Sequence, residues 1–463
     1  MPWFCYTNLL RTEKHKNENT RSIIRKYFLK FENQDIMENL RNPFTVGQPV
    51  APENFVGRKS LIAIAFDQIY QRSNLAVWGG PGMGKTSFLQ LLTSEEVWQS
   101  KNLNPSAAVI IYLNCQEINP FMPASFWRRI INLIREKTKD NSILQPIIRD
   151  LLKRPKITKD YLRFVLKKLG EQEKFLVLLL DDYDATFRCH SQYTETEVEI
   201  FLSECRNLAY HCSERKHLSM IVTSLRRLNE TGPGLTQDKS PWYNHYVFQP
   251  LKPLNQKEVE ILLSKMEMPP ALCDGIQEIA GGNPLLLQNA GFLYYDKMRS
   301  EETLSAEKFT RDLITATEHL FQDTWQLANE LEQTLLMLIS LSNLEGRVQN
   351  KRYNLGDINI IFGQKYRELI DLEERGVIKR TTEQENSVYL FSSTIMEWWV
   401  IKEVENTKAE TLKQREKVFL NLMSHKQVKK VTDVIKYLSE NKKAIKYVVK
   451  WVSKLAMYCA KFL

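Results

Sequence analysis

Leu75-Ala76-Val77-Trp78-Gly79-Gly80-Pro81-Gly82-Met83-Gly84-Lys85-Thr86-Ser87 joins an unbroken apolar run to a glycine-rich turn, and a helical pattern from Ser87 to Leu92 follows. The run reads as a buried strand. Gly79, four residues, then Gly84-Lys85-Thr86 is the spacing of the phosphate-binding loop, Walker A. Gly79, Gly80, Gly82 and Gly84, with Pro81 and Met83 between them, let the backbone curl until successive N–H groups face phosphate oxygens. The start of the helix, through Ser87, adds the positive end of its dipole. Lys85 is expected to reach the β- and γ-phosphates, and the Thr86 hydroxyl to hold Mg²⁺. An ordinary strand-to-helix turn shares some of these features. With every position of the pattern filled between a strand and a helix, the loop reads as a site for ATP or ADP.

The remaining composition bounds the class. At 463 residues there is room for roughly two to four domains with their own cores. Hydrophobic content of 43% and charged content of 26% are those of a soluble globular chain. No apolar run approaches the length of a spanning helix, and Met1-Pro2-Trp3-Phe4-Cys5 lacks the layout of a secretory signal. Seven scattered cysteines read as reduced cytosolic thiols, which implies a cytoplasmic protein. Cys189-His190 and His211-Cys212 lack paired-ligand spacing and read as structural. The net charge of +9 is uneven: from Lys408 onward there are 14 Lys and Arg against 4 Asp and Glu, leaving about −1 for the preceding 407 residues. Any argument for nucleic acid or an anionic membrane surface therefore rests on the tail.

Around the loop, strand and helix signals alternate, as in a parallel sheet covered on both faces. Arg41 to Arg58 holds three prolines and two glycines, an extended lead-in ending Phe55-Val56-Gly57-Arg58, 21 residues before Gly79. Ala107 to Leu113 is a second buried strand. Lys174-Phe175-Leu176-Val177-Leu178-Leu179-Leu180-Asp181-Asp182 is an apolar strand tipped by acid, the Walker B arrangement. Such a strand puts Asp181 at the carboxyl edge of the sheet, where it is expected to orient Mg²⁺ through its water shell. Asp182 stands where an acid polarises the attacking water, while Tyr183 and Asp184 read as turn residues. Thr194 with Glu197 forms a capping-box pattern before a helix reaching Tyr210. The strand Leu218 to Ser224 ends in two hydroxyls, Thr223 and Ser224; in the ATPase families it resembles, a polar residue here senses the γ-phosphate, which makes Thr223 or Ser224 the candidate. Arg206, Arg226 and Arg227 are candidates for an arginine finger.

Beyond Pro250, Asn255 with Glu258 marks a helix start, and Gly281-Gly282-Asn283-Pro284 ends one helix and caps the next. Three further helical patterns, the third ending at Arg375 before Gly376, precede two strand-like runs flanking Glu383 to Ser387, which is the order of a winged helix. Its third helix carries Lys365, Arg367 and Arg375 against Glu368, Asp371, Glu373 and Glu374, a poor balance for phosphate contact. A protein-contact or regulatory domain is favoured over a DNA-binding one. The tail reads as helical, with Lys446, Lys450 and Lys454 on one side of an apolar stripe. That stripe suits anionic lipid, a partner's groove or a solvated face.

In this order the Phe-Val-Gly-Arg box, Walker A, Walker B, sensor strand, Gly-Gly-Asn-Pro lid and winged helix resemble a STAND-type, AAA-like P-loop ATPase related to the origin-recognition ATPases. The resemblance implies an α/β P-loop core with helices on both faces, a helical lid, a winged-helix domain and a helical tail. It implies that Phe55, Val56, Gly57 and Arg58 pack on the base and ribose and that Pro284 packs on the adenine side. It also implies a slow ATPase that acts as a switch, closed by ADP and released by ATP to form homo-oligomers and engage a protein partner. The boundaries expected are an arm at 1–40, the core at 41–252, the lid at 253–304, the winged helix at 305–405 and the basic tail at 406–463. The alternative is an origin-recognition-type initiator that binds DNA through the same winged helix. A small-molecule phosphotransferase is disfavoured, since no acceptor pocket is evident.

Overall fold

The computed structural model describes residues 41–234, 240–300, 306–348, 351–383 and 386–441. The N-terminal arm and the lysine-striped segment after residue 441 lie outside the described residues.

The chain begins α1 (Lys59–Gln71), β1 (Asn74–Trp78), α2 (Lys85–Leu91), α3 (Glu95–Ser100) and β2 (Ala108–Asn114). It continues α4 (Pro123–Lys137), α5 (Leu144–Leu152), α6 (Lys159–Gly170), β3 (Phe175–Asp181), α7 (Glu195–Arg206), β4 (Leu218–Ser224), α8 (Leu228–Thr231) and β5 (Tyr246–Pro250). The five strands form one sheet in the order β2-β3-β4-β1-β5, every pairing parallel. Strands β1, β3 and β4 lie between two neighbours, which explains their unbroken apolar sequence: residues of both parities are covered. Leu75, Val77, Val177 and Leu179 meet Phe66, Ile69, Phe88 and Trp98 on one face. Ala76, Leu176, Leu178 and Leu180 meet Trp127, Ile130, Val165 and Phe201 on the other. Strand β2 is an edge, and its burial alternates residue by residue. The fold is that of a P-loop NTPase.

After the sheet come α9 (Gln256–Leu263), α10 (Pro270–Ala280), α11 (Pro284–Arg299), α12 (Ala306–Leu327), α13 (Glu330–Asn343), α14 (Ile358–Gln364) and α15 (Tyr366–Glu374). An antiparallel hairpin, β6 (Ile378–Glu383) with β7 (Asn386–Phe391), is followed by α16 (Thr394–Glu405), α17 (Ala409–Leu420) and α18 (His425–Glu440). The helix starts expected from sequence carry their caps: Asn255 with Glu258 is a reciprocal box, and the Asn283 side chain accepts from the N–H groups of Leu285 and Leu286; Asn329 with Glu332 forms a further box. The third core is continuous from α9 to α18, so the helices next to the sheet and those at the C-terminal end share one interior. Phe44 of the lead-in is buried in that same interior against Gly291, where a Cβ would collide with its ring. The first residues described are therefore anchored to α11. No helix of the described residues is long and apolar enough to cross a membrane.

Candidate nucleotide site

The loop from Gly79 to Gly84 leaves the carboxyl end of β1 and runs into α2, with Gly82 at φ +71° and Gly84 at φ +85°, conformations that side chains resist. Lys85 is buried, and its Nζ donates to the carbonyls of Gly79 at 2.9 Å and Gly80 at 3.3 Å. Burial lowers its pKa from the usual lysine value, while Asp182, Asp184 and Asp181 pull the other way. The Thr86 hydroxyl donates to Asp181 Oδ2 at 2.6 Å across 95 residues of sequence. Asp181 is fully buried, and its other oxygen takes the Thr223 hydroxyl and the Asp182 N–H, the latter at 3.2 Å.

Sequence reasoning missed what strand β2 adds. Tyr112 and Asn114 stand two residues apart on β2, so the pleat aims them the same way, and Gln116 follows in the short 3-10 turn that leaves the strand. The Tyr112 hydroxyl donates to Asp181 Oδ2 at 2.9 Å. The amides of Asn114 and Gln116 donate to Asp182 Oδ2 at 3.2 and 3.0 Å. The signal was available: polar residues at alternate positions closing an otherwise apolar strand. Asp182 adopts φ +49°, and burial followed by repulsion from Asp181 raises its carboxyl above the usual range. Asp184 lies in the next turn, where burial raises it and the Lys85 charge opposes that rise.

A cavity of about 610 Å³ opens beside these groups. Gly82, Gly84, Lys85, Thr86, Ser87 and Asp182 form one wall, and Phe55, Val56, Arg58 and Pro284 another. Thr45 to Val50 close a third side, tied to α11 by the Thr45 N–H on Gln288 Oε1 at 2.9 Å and to α2 by the Val50 N–H on Ser87 Oγ at 3.0 Å. Gly79, Gly80, Pro81 and Met83 do not line it: Gly80 and Pro81 face Arg375 and Gly376 instead, and Met83 is buried. Gly57 holds φ +79° and lets the Arg58 N–H donate to Glu258 Oε1 at 2.6 Å. The buried Arg58 guanidinium is brought down to about 10 by desolvation, with Glu258 opposing.

The side of the loop away from the cavity is covered by the C-terminal helices. A Cβ on Gly80 would stand 2.8 Å from the Arg375 carbonyl oxygen, and one on Gly82 2.8 Å from Leu285 Cβ and 3.0 Å from Leu320 Cδ1. Gly82→Ala is expected to strain the loop and push α11 away, weakening ADP binding at least tenfold in a calorimetric titration. Unchanged affinity would show that neither the positive φ nor this contact matters.

Directly past the sensor strand β4, Arg226 Nη2 donates to Glu332 Oε1 at 2.6 Å and lies 3.4 Å from Asp371 Oδ2. Arg375 Nη2 is 2.8 Å from both of those acids, and Arg227 Nη2 is 2.9 Å from Glu374 Oε2. Two of the arginine-finger candidates are therefore engaged by helices α13 and α15. Arg206 lies at the end of α7, away from the cavity lining.

Residues 73–266 match the NACHT domain family. Over that stretch the core is similar to NACHT-type P-loop NTPases. No curated protein matches the chain. Among solved structures, the chain is similar to the Walker-type ATPase of Pyrococcus abyssi, with 15% identity, 79% of this chain and 99% of that one covered, and a TM-score of 0.47. The Aeropyrum pernix ORC2 protein in ADPNP–ADP complexes gives 14% identity, coverage of 79% and 97%, and a TM-score of 0.48. The Drosophila ORC bound to DNA gives 13%, coverage of 84% and 94%, and 0.35. Cys189-His190 and His211-Cys212 take no part in the cavity lining, and the described residues hold no group of three or more His, Cys, Asp or Glu suited to a metal ion.

Proposed function

We propose that this chain is an ATP-binding, slowly hydrolysing switch whose nucleotide state sets whether its lid and C-terminal helices stay docked, and so whether copies of it assemble. The observation that carries this reading is the position of Arg226 and Arg227. They follow by only a few residues the Thr223 that touches Asp181, and they end on acids of α13 and α15. A change at the phosphate end of β4 is thereby felt by the helices that cover the loop.

In this reading Lys85 leaves the carbonyls of Gly79 and Gly80 for the β- and γ-phosphates, and the loop N–H groups bind the same oxygens. Thr86 and Asp181 are hard oxygen donors 2.6 Å apart, a set that fits Mg²⁺ completed by phosphate and water. The bound ion supplies charge neutralisation on the phosphate oxygens. Asp182, at the cavity wall, is the group assigned to orient the attacking water. Its carboxylate is occupied by the Asn114 and Gln116 amides, and as an aspartate it reaches one methylene less far than a glutamate. Both features support slow turnover.

The test is the mass of the purified protein by light scattering in ADP and in a non-hydrolysable ATP analogue, with the retained nucleotide identified. A monomer holding ADP that assembles with the analogue is the expected result. A mass that ignores nucleotide, together with salt-dependent binding of duplex DNA, would overturn the switch in favour of an initiator.

A further inference from the structure

The Asp181 carboxylate is saturated. Its two oxygens offer about four lone-pair positions. Oδ2 receives Thr86 at 2.6 Å and Tyr112 at 2.9 Å, while Oδ1 receives Thr223 and the Asp182 N–H. A cation held by Thr86 keeps most of its water shell and passes one of those waters to the neighbouring carboxylate. That water needs a lone pair, so one donor has to yield. Thr86 stays, because the same hydroxyl can ligate through its oxygen while donating through its hydrogen. The Asp182 N–H is backbone, and Thr223 is fully buried and also accepts from that N–H. Tyr112 is the remaining donor. It is half-buried, it projects from the edge strand β2, and a turn about its side-chain torsions withdraws the hydroxyl without moving the sheet.

We propose that the Tyr112 hydroxyl is a placeholder for the metal-bound water on Asp181, a built-in competitor that the divalent cation displaces when it arrives with nucleotide. The inference rests on the assignment of Thr86 and Asp181 as the cation's holders. In the metal-free state Tyr112 gives a buried carboxylate oxygen its second donor beside Thr86. In the metal-bound state it gives way, and the cation's affinity is reduced by the strength of the hydrogen bond it breaks. Tyr112 is thus a positioning residue that sets the metal requirement and touches neither nucleotide nor water nucleophile.

The experiment compares the full chain with Tyr112→Phe, which keeps the ring and removes the hydroxyl. Release of a fluorescent ADP analogue is followed against Mg²⁺ concentration, and Mn²⁺ binding to the ADP complex is titrated by electron paramagnetic resonance. The half-saturating metal concentration is expected to fall about 3–10-fold in the variant, the worth of one such hydrogen bond, with metal-free release unchanged. A half-saturating concentration that stays the same or rises would overturn the competitor role, a rise meaning that Tyr112 supports the metal geometry instead. If release from the unmodified protein ignores both cations, the assignment of Thr86 and Asp181 fails, and this inference with it.

Discussion

Glu332→Gln is expected to undock the C-terminal helices from the core. Glu332 is 1% exposed and its Oε1 serves two guanidinium groups, Arg226 at 2.6 Å and Arg375 at 2.8 Å. Without its charge, Asp371 is the remaining acid within ion-pair distance of both arginines, with Glu230 Oε2 3.5 Å from Arg226, and Arg375 is itself buried. Removing one partner from a buried pair costs about 3–5 kcal/mol, because the surviving charge stays out of water uncompensated. A docking equilibrium that loses 3 kcal/mol shifts by a factor of about 150. The amide can still accept the Asn329 N–H that Glu332 Oε2 now receives at 2.9 Å, so the start of α13 keeps its cap. Asn329→Ala supplies the opposite control, losing the cap for about 1 kcal/mol while leaving the charges in place. Limited proteolysis between core and C-terminal helices, with light scattering in ADP, reads the outcome. Rapid cleavage and nucleotide-independent assembly are expected of Glu332→Gln alone. Equal behaviour of the two variants would mean that the cluster is a local helix cap and holds nothing closed.

Lys85→Ala is expected to abolish retention of nucleotide. The ammonium is already desolvated in the folded chain, as its lowered pKa reflects, and only two backbone carbonyls share its protons. Phosphate oxygens return a full charge interaction to a group whose dehydration has been met in advance. Two charge-assisted hydrogen bonds at about 1.5–3 kcal/mol each correspond to a loss of roughly 10² to 10⁴ in affinity. Isothermal titration with ADP gives the number. Affinity within threefold of the unmodified protein would remove the loop from the nucleotide site altogether.

Much of this architecture can be read locally. Gly84-Lys85-Thr86 and Leu180-Asp181-Asp182 each sit within one strand and its following turn, and their meeting at Thr86 and Asp181 follows from parallel neighbours ending on one edge. Asn255, Asn283 and Thr194 announce helix starts because a cap is satisfied within three residues. The contacts that join the core to the C-terminal helices are of another kind. Arg226 and Glu332 are 106 residues apart, Arg227 and Glu374 147, and nothing in a local pattern assigns a lone arginine to a given acid. The acids of α15 were legible only as unsuited to DNA; their partners lie in the core. Tyr112 was hidden for a related reason, since an aromatic residue in an apolar strand reads as packing until its hydroxyl is seen to reach a carboxylate.

The double duty of Glu332 also bears on how such a protein can vary over generations. A replacement there other than Gln disturbs the start of α13 and the balance of two arginines together, so most single steps at this position carry two penalties at once. The pair Arg227 and Glu374 stands nearer the rim, with side chains 38% and 18% exposed, and Glu374 is not engaged with Arg226 or Arg375. In the proposed switch, gradual adjustment of the threshold for opening is therefore easier at the rim than at the centre. Lineages would diversify in sensitivity through residues 227 and 374 while position 332 stays fixed.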